Sequence, residues 1–465
     1  MPGTEQGRLT RAELDELIRT REIETVITVF PDLYGRLVGK RITGHFFSEE
    51  VAEHGMHTCD YLLACDMEMD PTQGYAFTSW KTGYGDIHCM PDFTTARRAS
   101  WLPKTALVLC DVLDEGSGQP VEIAPRRVLQ RQRERARRAG FTAMGASELE
   151  FFVFRETYAS ARTKNYEELE TFGSYVEDYH ILQSTKVEPL VGEIRRHLDH
   201  SGIPVEFSKG EWGPGQHEIN VRYCEFLDMA DRHVVYKHLC KEVAMAQELS
   251  LTFMAKWHEK HAGNSFHLHS SLWDAQGRPL FGHGDGAPLP GTSVKPTKLF
   301  YHWLAGQLAH ARELSIFFAP LVNSYKRYVE GTFAPTVIAW SYDNRTAGFR
   351  VVGNGDSLRT ECRIPGADAN PYLAYAGILA AGLDGIERKL EPPPMFEGNL
   401  YENESVTQVP RTLGAAIEIA EGSSWLKETF GADVMEHYLH FARTEKRKFD
   451  AAVTTWERAR YFERG

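Results

Sequence analysis

Ten consecutive residues constrain this chain more than any others: Gly145-Ala146-Ser147-Glu148-Leu149-Glu150-Phe151-Phe152-Val153-Phe154. Their Phe and Val content calls for a buried strand. Side chains two apart in a strand share a face, so Glu148 and Glu150 would lie side by side in apolar surroundings. Two like charges there repel unless the pair faces water or a cation sits between them. A second stretch, Glu211-Trp212-Gly213-Pro214-Gly215-Gln216-His217-Glu218, separates two glutamates by an odd number of residues. In a straight strand they would point to opposite faces. Gly-Pro-Gly can instead fold the chain back, closing either an ordinary surface hairpin or a site where both carboxylates converge.

Two further stretches alternate. Ser265-Phe266-His267-Leu268-His269-Ser270-Ser271-Leu272-Trp273 sets His267, His269 and Ser271 on one strand face. Arg359-Thr360-Glu361-Cys362-Arg363-Ile364 lines up Arg359, Glu361 and Arg363, as a structural salt-bridge ladder or as part of a charged site. Asn323-Ser324-Tyr325-Lys326-Arg327, with Arg345 and Arg350, adds guanidinium groups. Arginine forks suit carboxylates and phosphates, so this clustering fits an anionic substrate. Gly35-x-x-x-Gly39-Lys40-Arg41 lacks the spacing and the Ser/Thr of a Walker A loop, and no GxGxxG opens a helix after a strand. A bound nucleotide would therefore be held by arginines and metal ions.

Around these stretches the chain divides in two. Thr10-x-x-Glu13 is a capping box that opens the first helix, and Thr25 to Phe30 reads as a strand. From the turn at Pro31 to Gly35 onward, up to Asp111, the pattern predicts strands and turns without a long helix. Asp114 to Pro120 reads as a linker, giving domains over 1–115 and 116–465. Arg126 to Arg138, entered after Pro125 and stopped by Gly140, is helical with seven arginines. A solvated or inter-subunit face is expected there. Leu190 to His200 and Phe226 to Leu249 are also helical, and Asn370-Pro371 starts a buried helix towards Leu390. The formal net charge of −12 disfavours a general nucleic-acid or anionic-membrane surface. The longest apolar run, Leu373 to Leu383, is too short for a membrane span, and the first residues lack a signal-peptide core. The seven cysteines form no CxxC pair. Reduced thiols and a cytoplasmic location are the expectation, with no nucleic-acid or membrane partner.

Taken together, these stretches resemble the glutamine synthetase family in its bacterial type I branch. The resemblance begins at Phe30-Pro31-Asp32-Leu33-Tyr34-Gly35 and runs through the four stretches and Asn323 to Arg327. It then continues from Asn370-Pro371-Tyr372-Leu373 to Trp456-Glu457. It implies an α+β fold: a small N-terminal β-grasp domain, then a large catalytic domain with a curved antiparallel sheet flanked by helices. It implies a reaction in which ATP phosphorylates the γ-carboxylate of glutamate and an amine displaces the phosphate. Glu150, Glu211 and Glu218 resemble the ligands of one metal ion, and Glu148, His267 and Glu361 those of a second. Five carboxylates and one imidazole favour Mg²⁺ or Mn²⁺. Arg327 and Arg363 match the glutamate and phosphoryl contacts, and Gly263 the backbone that meets the α-amino group. Arg345, Arg350 and Arg359 match the phosphate-binding arginines, and His269 with Ser271 the nucleotide strand. The catalytic groups implied are Asp32, Arg327 and Arg345. The implied assembly is a dodecamer of two stacked hexameric rings, with Asp32 serving the neighbour's site.

Two departures shape the expected chemistry. Six residues after Arg327, where the family carries a glutamate that deprotonates ammonium, this chain has Phe333; Glu330 is displaced by three. Ala262-Gly263-Asn264-Ser265-Phe266 also stands where ammonium-using members read Asn-Gly-Ser-Gly-Met. A phenyl ring weakens an ammonium site but favours a carbon tail, by about 0.8 kcal/mol per buried methylene. The chain therefore looks like a γ-glutamylamide synthetase using a short primary amine such as ethanolamine or an alkylamine, with Asp32 and Phe333 at the amine pocket. An ammonium-using glutamine synthetase and a catalytically silent oligomer of the same fold are the alternatives. Gly398-Asn399-Leu400-Tyr401 resembles a loop modified in some type I enzymes, but Glu402-Asn403-Glu404-Ser405 departs from it. Tyr401 is expected to be an ordinary exposed loop residue.

Overall fold

In the computed structural model, which describes residues 5–403 and 405–465, the strands collect into two sheets. The first uses β1 (Thr25–Pro31), β2 (Leu37–Thr43), β3 (Met56–Cys59), β4 (Asp86–Pro91), β5 (Arg97–Arg98) and β6 (Thr105–Asp114). Their order is β2-β1-β6-β4-β3, with β5 on β6; only β1 and β6 run parallel. The β1–β2 turn is locked by Asp32, whose carboxylate accepts from the N–H groups of Tyr34 (2.9 Å) and Arg36 (2.8 Å) and pairs with the Arg36 guanidinium at 2.6 Å.

Three sequence expectations change here. Residues of the segment read as strands and turns form a helical run through Gly44–Phe46, Phe47–Val51 and Ala52–His54. Phe47, Val51 and Ala52 bury one side of it, and Gly55 ends it with φ +68°. Asp114 to Pro120 is a pinned turn, because Asp114 Oδ1 accepts from the Ser117 N–H (2.8 Å) and hydroxyl (2.6 Å). Finally, Arg126, in the arginine-rich helix Pro125–Arg138, is buried rather than solvated. It pairs with Asp92 at 2.7 Å, Asp231 at 3.0 Å and Asp111, tying the first sheet to the helix Phe226–Ala246.

The second sheet contains β7 (Thr142–Phe154), β8 (Val205–Gly210), β9 (Gln216–Val221), β10 (Cys224–Glu225) and β11 (Ser250–Thr252). It also contains β12 (Phe266–Trp273), β13 (Trp340–Tyr342), β14 (Phe349–Val352) and β15 (Arg359–Cys362). The order is β13-β14-β15-β12-β7-β9-β8, with β10 and β11 on β7. Only β13 and β14 run parallel. The helix Pro371–Glu387 is buried along most of its length and packs against Lys298–His310, Pro125–Arg138 and Phe226–Ala246. Asn370 caps it and donates to the carbonyls of Asp32 (3.2 Å) and Leu33 (3.0 Å). One connected apolar core therefore extends under both sheets. Among the described residues no helix is long and apolar enough to cross a membrane.

Candidate active site

Strand register assembles the charged residues. Glu148 of β7 lies opposite His267 of β12, and Glu150 opposite Glu218 of β9. His269 lies opposite Glu361 of β15, which in turn faces Arg350 of β14. Directly opposed residues project to the same face, so the neighbouring strands β9, β7, β12, β15 and β14 deliver their polar side chains together. The Glu211 N–H donates to the Gln216 carbonyl at 2.8 Å, and Gly215 takes φ +74°, so the chain folds back. One oxygen from each of Glu150, Glu211 and Glu218 lies within 4.8 Å of the others. The turn thus converges what a straight strand would separate.

His267 Nδ1 stands 2.7 Å from Glu148 Oε1 and 3.6 Å from Glu361 Oε1. His269, expected on the nucleotide side, also reaches Glu148, with Nε2 at 3.3 Å. Burial opposes ionisation of Glu148, yet hydrogen bonds and charge from His267 and His269 hold its carboxyl well below the ordinary range. Glu361 is likewise held low against its burial, by Arg363 (2.6 Å) and then His267. Burial pushes Glu150 and Glu218 the other way, reinforced by Glu211 for the first and Glu148 for the second. Burial, then the Arg363 charge, lowers the basicity of His267 against the pull of Glu148 and Glu361. A crowded set of five carboxylates and one imidazole, two carboxyls of it hard to ionise without added positive charge, fits hard divalent cations.

Glu148, Glu150, Glu211, Glu218 and His267 line a cavity of about 380 Å³, and the fully buried Glu361 lies behind its wall. Gly263 is in its wall; a Cβ there would lie 2.5 Å from both the Ala255 carbonyl oxygen and the Arg327 side chain. Arg327 spends part of its donor set on the carbonyls of Ile364 (3.1 Å), Arg363 (2.7 Å) and Pro365 (3.2 Å). Arg363 also lines the cavity, and its Nε is buried and unpartnered. Arg345 and Arg350 reach the cavity, and Arg350 also pairs with Glu361 at 3.0 Å. Arg359 does not line it, but its Nε donates to His269 Nδ1 at 3.1 Å. Ser271 lies outside the wall and accepts from the Trp273 indole at 3.1 Å. Asp32 is not in the cavity of its own chain; its carboxylate is 3% exposed and occupied by its own turn.

Phe333 lines the cavity with its ring 5.7 Å from that of Trp212, edge to face, whereas Glu330 is exposed and outside the wall. Sequence reasoning missed Lys209 and Gln216. Lys209 pairs with Glu211. The Gln216 amide donates to the Gly263 carbonyl and to Asn264 Oδ1, both at 2.9 Å, joining the turn to the Gly263 segment. Each stands two residues before a site glutamate, so strand parity was the available signal.

The chain is similar to known proteins over nearly its whole length. Residues 122–461 match the model of the glutamine synthetase catalytic domain. A γ-glutamylethanolamide synthetase of Streptomyces coelicolor is 48% identical over 452 residues, covering 97% of this chain and 95% of that one. A glutamate–isopropylamine ligase of a Pseudomonas species is 33% identical over 465 residues, 99% of each. A solved GmaS/ADP complex superimposes with a TM-score of 0.84 at 28% identity, covering 97% of this chain and 99% of that one.

Proposed function

The chain belongs to the glutamine synthetase family and is an ATP-dependent ligase of glutamate and an amine; from that premise we propose that its nucleophile is a short primary amine. Ethanolamine or a small alkylamine is the expected substrate, and γ-glutamyl phosphate the expected intermediate. The observation that carries this reading is Phe333. Its ring borders the cavity beside Trp212, six residues after Arg327, the position that the family resemblance matches to the ammonium-site glutamate. The named activities of the two relatives, on ethanolamine and on isopropylamine, support it.

In this reading Glu150, Glu211 and Glu218 hold one Mg²⁺ or Mn²⁺, and Glu148, His267 and Glu361 a second. Bound there, the ions would neutralise charge on the transferred phosphoryl group. Arg363 and Arg327 hold glutamate, the Gly263 carbonyl faces its α-amino group, and Arg345 and Arg350 steady the phosphates. His269 and Arg359, hydrogen-bonded to each other, serve the nucleotide side with Ser271. Asp32 is committed to its own turn within this chain, so solvent accepts the amine proton unless the proposed dodecamer rearranges that turn. The reacting amine must be neutral, so turnover should rise at alkaline pH.

Phosphate release with glutamate and ATP, measured for ammonium and for a panel of amines, tests the proposal. The expected result is a kcat/KM for a short primary amine well above that for ammonium. Preference for ammonium over every amine tried would overturn it and leave an ordinary glutamine synthetase.

A further inference from the structure

We propose a second metal site on the N-terminal sheet, where His57, His88 and Glu115 hold one divalent cation of the zinc, copper or nickel kind. None of the three lines the active-site cavity. His57 of β3 lies directly opposite His88 of β4, so both imidazoles leave the same face. His88 is also opposite Leu113 of β6, and Glu115 stands two residues beyond Leu113, on the matching side. Three neighbouring segments thus deliver two imidazoles and one carboxylate to one point. The rings stack at 4.9 Å with 9° between their planes, and His57 Nε2 is 3.0 Å from Glu115 Oε2. One ligand atom from each residue lies within 4.8 Å of the others.

Local contacts fix the His88 ring. His88 Nε2 lies 2.6 Å from the His54 carbonyl, which can only accept, so Nε2 carries the proton and Nδ1 keeps its lone pair. Gly55 makes this contact possible. It turns the chain at φ +68°, and a Cβ on it would sit 2.5 Å from His88 Nε2. The nearby Lys40 ammonium is directed to the His57 carbonyl at 2.7 Å. Two imidazoles and one carboxylate suit borderline first-row cations, in contrast to the oxygen-rich active site. The half-exposed His57 and Glu115 side chains leave room for water to complete the coordination. Because β3 is an edge strand, a cation here would fasten it to β4 and to the turn after β6.

The test is zinc chloride titration of the full-length protein in saturating Mg²⁺, against His57→Ala and His88→Ala. Wild type should take up one more zinc per chain than either variant. Zinc should raise the unfolding temperature of wild type only, with Mg²⁺-dependent ligase activity before zinc equal in all three as the check on folding. Equal zinc uptake by wild type and both variants overturns the proposal. So does a Cu²⁺ resonance spectrum whose two-nitrogen coupling survives in His57→Ala/His88→Ala.

Discussion

The Tyr401 hydroxyl donates a hydrogen bond to the Ala334 carbonyl, 3.1 Å away and one residue past Phe333. The Phe333 carbonyl itself accepts from Arg363 Nη2 at 3.3 Å. Two consecutive carbonyls are therefore tethered, just after the N–Cα bond at which Phe333 holds φ +59°, a conformation that costs a non-glycine residue energy. The tethers set where the ring points. Tyr401 is thus a half-buried strut of the site wall rather than an ordinary exposed loop residue. Of the residues whose departure from the family loop was noted after it, Glu404 lies outside those described.

Tyr401→Phe removes one tether and keeps the ring. A neutral hydrogen bond contributes ~1 kcal/mol, so KM for the amine should rise roughly fivefold with kcat changed less. Steady-state kinetics with an amine and with ammonium read this out. An unchanged amine KM would remove Tyr401 from the specificity argument.

Phe333→Glu returns a carboxylate to the wall beside Trp212. The ratio of kcat/KM for ammonium over the amine should rise about tenfold, equivalent to ~1.4 kcal/mol, because a carboxylate in the cavity wall attracts ammonium and takes away the apolar surface an alkyl tail would cover. A ratio that stays put would show that the ring does not select the nucleophile.

Glu150→Ala and Glu211→Ala should each abolish turnover while leaving a folded protein. Both remove an oxygen from the crowded carboxylate group. Adding Mg²⁺ to chelator-treated wild type should raise its unfolding temperature, and the rise should shrink in either variant. Full activity of a variant at saturating Mg²⁺ would contradict the ligand assignment.

Glu177, whose Oε2 lies 3.6 Å from His217 Nε2, supplies a pH test on a carboxyl outside the metal-type set. It is 2% exposed, Oε2 has no hydrogen-bond partner, and burial pushes its carboxyl up to about 7 from 4.5. The fold therefore favours the protonated form. That stabilisation, on the order of 3 kcal/mol at most, is complete below the ordinary carboxylate range and is lost as pH rises through about 7. Glu177→Gln should flatten the decline of unfolding temperature between about pH 5 and pH 8 and exceed wild type at the alkaline end. Parallel wild-type and variant profiles would be the contrary result.

The charged face was legible because strand parity is local: Glu148 and Glu150, or His267 and His269, announce their shared direction within three residues. The converging turn at Gly213-Pro214-Gly215 was legible as a possibility for the same reason. What escaped depended on partners far along the chain. Nothing near Arg126 signals Asp231, 105 positions away, and nothing near Tyr401 signals Ala334, 67 positions away. The helical run from Gly44 to His54 was missed because its three pieces are short and its apolar side rests on packing against the first sheet.

Arg126 bears on how this protein can be inherited. One guanidinium pairs with aspartates just after β4, from β6 and from the helix Phe226–Ala246, and removing it strands the charge of Asp231, which is 3% exposed. The N-terminal sheet is therefore not a cassette. A chimera that takes it from a relative must bring a matching arginine and aspartates across the junction, so these four positions should be exchanged between lineages as one unit.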